Sequence, residues 1–283
     1  MTSKPSVGPQ SAWMSTGSYS SCGPSDAWIY YGLLSMSFLY TVLGVQLFTF
    51  GSLQRSIAES GDGGFYQNLL LVSLLSLLSL HFIKHKALKI DLSAGVLLAL
   101  LWCALSVFWA IDFYISTRRF VVAALVTVSV LQSVQELGPK RSIFFLTRLG
   151  GGALFLDFVA ALVLPRGMHQ FQEVSGALAG NWRGLHTHKN LAGAFVGGFA
   201  VFCWGAYRAS KDRLNLYLCI LSLLFLWMTQ SKTAIAAVVL AFSLQAVLFS
   251  RLFGFGPRIM IPLACLLPLS VVIFNLEPLL DLV

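Results

Sequence analysis

The chain has 283 residues, of which 57% are hydrophobic and 11% charged, with a mean hydropathy of +0.78 and a formal net charge of +8. A soluble domain carries about 25% charged residues, so this composition excludes an ordinary water-soluble fold. The weak alternation within the apolar runs argues against a membrane β-barrel. The positive charge is spread over loops, which points to membrane topology and anionic lipids and away from nucleic acid.

Residues 1–27 are rich in Ser, Gly and Pro and hold one cation, Lys4, so they are expected to form a disordered cytoplasmic tail. A polar lead this long, ahead of a full-length apolar segment, does not fit a cleaved signal peptide. Apolar runs near the length of a membrane span then recur. They predict helices at 28–50, 66–83, 92–110, 118–135, 143–164, 190–208, 214–230, 232–250 and 258–275. The fold class expected is therefore all-α, a polytopic integral membrane protein with about nine spans. Residues 28–275 form its helical domain, and 276–283 begin a segment on the far side. The seventh and eighth spans meet at a very short turn around Gln230 and Ser231.

Within these spans, His81 is expected to snorkel toward the inner interface. Trp102, Trp109 and Trp182 fit an aromatic belt. Of Cys22, Cys103, Cys203, Cys219 and Cys265, four lie in apolar runs and none in a CxxC, so they read as packing residues rather than disulfides or metal ligands. Gly193 and Gly197 have the spacing of closely packed helices.

Charge sets the orientation. With the N-terminus inside, twelve of the 19 cations fall on inner segments, as the positive-inside rule requires. Of the seven outer cations, Arg118, Arg119, Lys189 and Lys232 fall in three groups that open spans: Ser116-Thr117-Arg118-Arg119, His188-Lys189-Asn190 and Gln230-Ser231-Lys232-Thr233. Thr117, Asn190 and Ser231 are the expected N-caps. A cation at a helix N-terminus opposes the macrodipole, so three such placements on one face call for a bound anion. Helix N-termini and basic side chains together suit phosphate. Snorkelling of these cations to lipid headgroups is the competing account.

His186 and His188 have the chemistry of a general base or a phosphate ligand. Asp157 is the one acidic residue deep in a predicted span. Intramembrane carboxylates are costly, so it is expected either to pair with an outer arginine, to steer an acceptor hydroxyl, or to be protonated or satisfied locally. No P-loop, HExxH, GxSxG or clustered acidic motif is present, so neither a nucleotide, a metal nor another cofactor is expected.

The segment Trp182-Arg183-Gly184-Leu185-His186-Thr187-His188-Lys189-Asn190-Leu191-Ala192-Gly193 resembles the W-R-G-x-x-x-H-K-N-x-x-G signature of the O-antigen ligase and Wzy-type polymerase superfamily, which includes exopolysaccharide polymerases. Ser231-Lys232-Thr233 resembles that family's Ser-Arg/Lys-Thr turn. Ser106-Val107-Phe108-Trp109-Ala110, followed by Arg118 or Arg119, resembles its S-x-x-W-S segment with a downstream arginine. The resemblance implies an integral-membrane glycosyltransferase fold in the bacterial inner membrane, with the site facing the periplasm. It implies metal-independent transfer of a glycan from undecaprenyl pyrophosphate, either to lipid A-core or to another lipid-linked glycan. Ligase and polymerase share these motifs. Arg183, Lys189 and Lys232, with Arg118 or Arg119, would hold the donor pyrophosphate, and His188 would orient them. Family members continue into a large periplasmic loop that carries the catalytic histidine. The base is therefore expected beyond Val283, with His188 the alternative within this chain, and the chain reads as a truncated or split transferase. A flippase or transporter of polyprenyl-linked or anionic substrates, and an inactive remnant, are the rival readings.

Overall fold

A computed structural model describes residues 26–42, 65–85, 93–169 and 179–249. The disordered tail expected over 1–27, the ninth span at 258–275 and the segment 276–283 lie almost wholly outside these residues, as do Cys22 and Cys265. Among the described residues the regular structure is helical throughout. The helices are α1 (Ala27–Val42), α2 (Phe65–His85), α3 (Ala94–Ser106), α4 (Phe113–Leu137), α5 (Pro139–Val163), α6 (Lys189–Ser210), α7 (Arg213–Thr229) and α8 (Lys232–Phe249). A 3-10 turn, Val107–Trp109, extends α3, and a second, Pro165–Gly167, follows α5. Among the described residues three helices, α4, α5 and α6, are long and apolar enough to cross a membrane. The apolar stretches within α2, α3 with its 3-10 turn, α7 and α8 are shorter.

Helix ends follow local chemistry. Asp112 caps α4, its carboxylate accepting from Ile115 N–H at 3.0 Å. Asp212 caps α7 in the same way, accepting from Leu214 N–H at 3.1 Å. A carboxylate at an N-cap both fills an orphan amide and complements the helix dipole. This corrects the expectation for α4. The helix starts at Phe113, Thr117 lies inside it with its hydroxyl donating to Phe113 C=O at 2.7 Å, and Arg118 and Arg119 sit in its second turn. Asp112 is the better cap because it offers a charged acceptor ahead of the apolar run.

The chain forms two compact units, divided within α5 between Leu146 and Thr147. In the first, α1, α2, α4 and the opening turns of α5 surround Ile29, Tyr30, Leu33, Leu34, Leu74 and Leu137. His81 corrects a second expectation. It is not drawn to the interface but is buried, with Tyr30 Oη 3.1 Å from its Nδ1. A buried polar group is costly unless hydrogen-bonded, so the phenol supplies what water supplies to a snorkelling side chain. Tyr30→Phe is expected to destabilise the chain by about 1 kcal/mol, read as a lower melting temperature in detergent. An unchanged melting temperature would show that this bond contributes nothing net.

The second unit holds the rest of α5 with α6, α7 and α8. Its core is Leu154, Ala192, Val196, Phe199, Ala200, Cys203, Cys219, Phe225, Leu226 and Val238, among others. Cys203 and Cys219 are free thiols packed within it, while the free thiol of Cys103, in the first unit, is exposed. Gly193 and Gly197 let α6 approach α8: a methyl group on Gly193 would stand 2.8 Å from Ser231 Cβ, and one on Gly197 2.8 Å from Val238 Cγ2. The turn between α7 and α8 is as short as expected, with Gln230 in the left-handed region at φ 49°.

Candidate functional site

The described residues ahead of α6 are held by backbone bonds to those that follow α5. Gly167 C=O accepts from both Arg183 N–H, at 2.9 Å, and Gly184 N–H, at 3.0 Å. Met168 and Trp182 form an antiparallel bridge, and Trp182 N–H donates to Met228 C=O at 3.1 Å. The Trp182 ring packs edge-on against Phe158 and Phe225. This anchoring matters because non-helical backbone survives near a bilayer only when its polar groups are satisfied by protein or line a wet cavity.

Asp157 organises the next turn. Its side chain is fully buried; Oδ1 accepts from Leu185 N–H at 2.9 Å, and Oδ2 lies 3.3 Å from His186 Nε2. The second contact lacks aligned hydrogen-bond geometry but becomes an ion pair when the imidazole is protonated. Of the three roles open to Asp157 from sequence, the structure supports local satisfaction: the carboxylate's close partners are the Leu185 amide and His186. Gly184 makes the approach possible. It has φ +59°, and a Cβ there would meet Asp157 Oδ1 at 2.5 Å.

Arg183 is buried at 5% exposure, beside this turn. His188 then caps α6, its Nδ1 accepting from Asn190 N–H at 3.1 Å. Asn190, expected to be the cap, instead accepts the Ser231 hydroxyl at 3.0 Å and so ties the start of α6 to the start of α8. His188 wins the cap because Lys189 and Asn190 are already helical. His169 is buried and accepts from Lys189 N–H through Nε2 at 3.3 Å, with its ring 5.3 Å from that of His188. A lone histidine after a span carries no spacing signal, so His169 is the site residue that sequence reasoning missed.

Arg183, Lys189 and Lys232 gather around these caps. Lys189 and Lys232 are the first residues of α6 and α8, and neither helix has an acidic residue in its first turn. Each lysine opposes its helix dipole at a cost of about 0.3–1 kcal/mol. The His188 imidazole is held below its usual value, first by burial and then by the charges of Lys189 and Arg183. The structure thus brings Asp157, Arg183, His188, Lys189 and Lys232 into one unit. Arg118 and Arg119 belong to the other, where Arg118 donates to Asn68 Oδ1 at 3.0 Å. Among the described residues, no group of three or more His, Cys, Asp or Glu side chains is placed to hold a metal ion. Comparison with family models, curated proteins and solved structures finds no match to this chain.

Proposed function

We propose that this chain holds the glycan donor in an inner-membrane glycosyl transfer. In this reading it has nine spans and a cytoplasmic N-terminus, and it moves a glycan from undecaprenyl pyrophosphate to a lipid-linked glycan or a lipid A-core acceptor on the periplasmic face. The observation that carries the reading is the cationic cluster of Arg183, Lys189 and Lys232 around two helix N-termini joined by the Ser231–Asn190 bond. Its resemblance to the ligase and polymerase signature supplies the reaction class.

Two helix N-termini and three cations stabilise negative charge. In glycan transfer that charge develops on the departing pyrophosphate as the acceptor hydroxyl attacks the anomeric carbon. Such groups lower the barrier because they are oriented before the reaction starts. The resemblance puts the base for the acceptor hydroxyl outside this cluster. Asp157 positions the loop.

Lys189→Gln and Arg183→Gln are each expected to lower glycan transfer about 10²–10³-fold, the loss typical of one donor to a developing charge, while the protein still accumulates in the membrane. Transfer is measured in membranes with lipid-linked donor and acceptor, together with any partner chain that supplies the base. Wild-type transfer rates in both variants would overturn the assignment.

A further inference from the structure

We propose that His188 and His169 form a proton-operated lock on the N-terminus of α6. Each ring presents a bare nitrogen to a consecutive backbone amide of that helix: His169 Nε2 to Lys189 N–H and His188 Nδ1 to Asn190 N–H. An imidazole nitrogen that accepts a hydrogen bond carries no proton. His188 is therefore the Nε2–H tautomer and His169 the Nδ1–H tautomer. A second proton on either ring occupies the lone pair that holds the helix. Protonation thus opens the lock, frees an amide of the first turn and adds a positive charge where positive charge is already dense.

The surroundings of His188 favour the closed state. Lys189 on α6 and Arg183 on the preceding loop act on it directly, and the His169 ring stands edge-on to it. Lys232 at the start of α8 acts on Lys189. The acidic group on α5, Asp157, is engaged by Leu185 and His186. Burial and the two nearby cations push His188 below its ordinary 6.5. In the unfolded chain the ring takes its proton near 6.5, and in the folded chain only at lower pH. The stability that the His188 cap contributes is therefore fully present above 6.5 and is lost as pH falls through its lower folded value.

One consequence concerns catalysis. With Nδ1 committed to the cap, His188 offers a ligand an Nε2–H donor and not a base. The lock itself is independent of any phosphate bound nearby, so its test needs no substrate.

The full chain is placed in lipid nanodiscs with 15N-labelled Lys, Asn and His. The ring 15N shifts at pH 7.5 are expected to show Nε2–H for His188 and Nδ1–H for His169. Between pH 7.5 and pH 5, the protection of the Asn190 and Lys189 amides, corrected for intrinsic exchange, is expected to fall about tenfold, as for a lost cap. Asparagine is an N-cap that does not titrate, so His188→Asn is expected to keep Asn190 protected at both pH values while Lys189 still responds. His169→Gln is expected to show the converse. The opposite tautomers in the wild-type protein, pH-independent protection, or an Asn190 response that persists in His188→Asn would each overturn the lock. The ring shifts decide the matter even where a variant fails to fold.

Discussion

Gly184→Ala is expected to dismantle the loop that carries Arg183 and His188. The left-handed backbone at φ +59° costs an L-residue about 1–2 kcal/mol by itself. The new methyl group also lands on Asp157 Oδ1, 2.5 Å away. Relieving that clash moves a buried carboxylate off the Leu185 amide and adds on the order of 1–3 kcal/mol for the orphaned donor. Gly180 provides the control. Its φ is also positive, at +85°, but a Cβ there meets nothing within 4 Å. Gly180→Ala therefore carries the backbone cost alone. Melting temperatures in detergent are expected to fall in the order wild type, Gly180→Ala, Gly184→Ala. Equal melting of the two variants would show that Gly184 is needed only for its backbone conformation and not for the approach of Asp157.

Asp157→Ala is expected to have an effect of similar size through the other side of the same contact. It leaves the part-buried Leu185 N–H without its acceptor and takes the carboxylate away from His186, a loss of about 1–3 kcal/mol. Asp157→Asn keeps a carbonyl oxygen at the position of Oδ1 and replaces only the oxygen opposite His186. It is expected to melt between wild type and Asp157→Ala. Amide exchange at Leu185 separates the two variants, with protection retained in Asp157→Asn and lost in Asp157→Ala. If Asp157→Ala matches wild type in both melting and exchange, the carboxylate does not hold the loop. An arginine partner or an acceptor role would then have to be reconsidered for it.

Helix positions were legible because they rest on short-range chemistry. Apolar runs bounded by polar turns placed α2, α3, α5, α6, α7 and α8 within a few residues of their observed ends. The start of α4 lies five residues before the expected one because Asp112, and not Thr117, caps it. Asp112 lay in the sequence with the right chemistry, ahead of the same apolar run. The cations of the α6 and α8 starts were legible too, since a charge placed against a helix dipole is visible without coordinates.

Local patterns along the chain specify where helices form, which of them are apolar and which residues stand at their starts. These follow from contacts between residues three or four apart, which every copy of the local pattern makes. The partners of the buried polar groups come from long-range packing. Asp157 meets Leu185 across 28 positions, Tyr30 meets His81 across 51 and Ser231 meets Asn190 across 41. A buried carboxylate or imidazole must find some partner, and the sequence states that need. Which of several donors satisfies it depends on how the helices and their connections pack. For the same reason His169 was silent in sequence: its role exists only where the chain after α5 is folded back beside the first amide of α6.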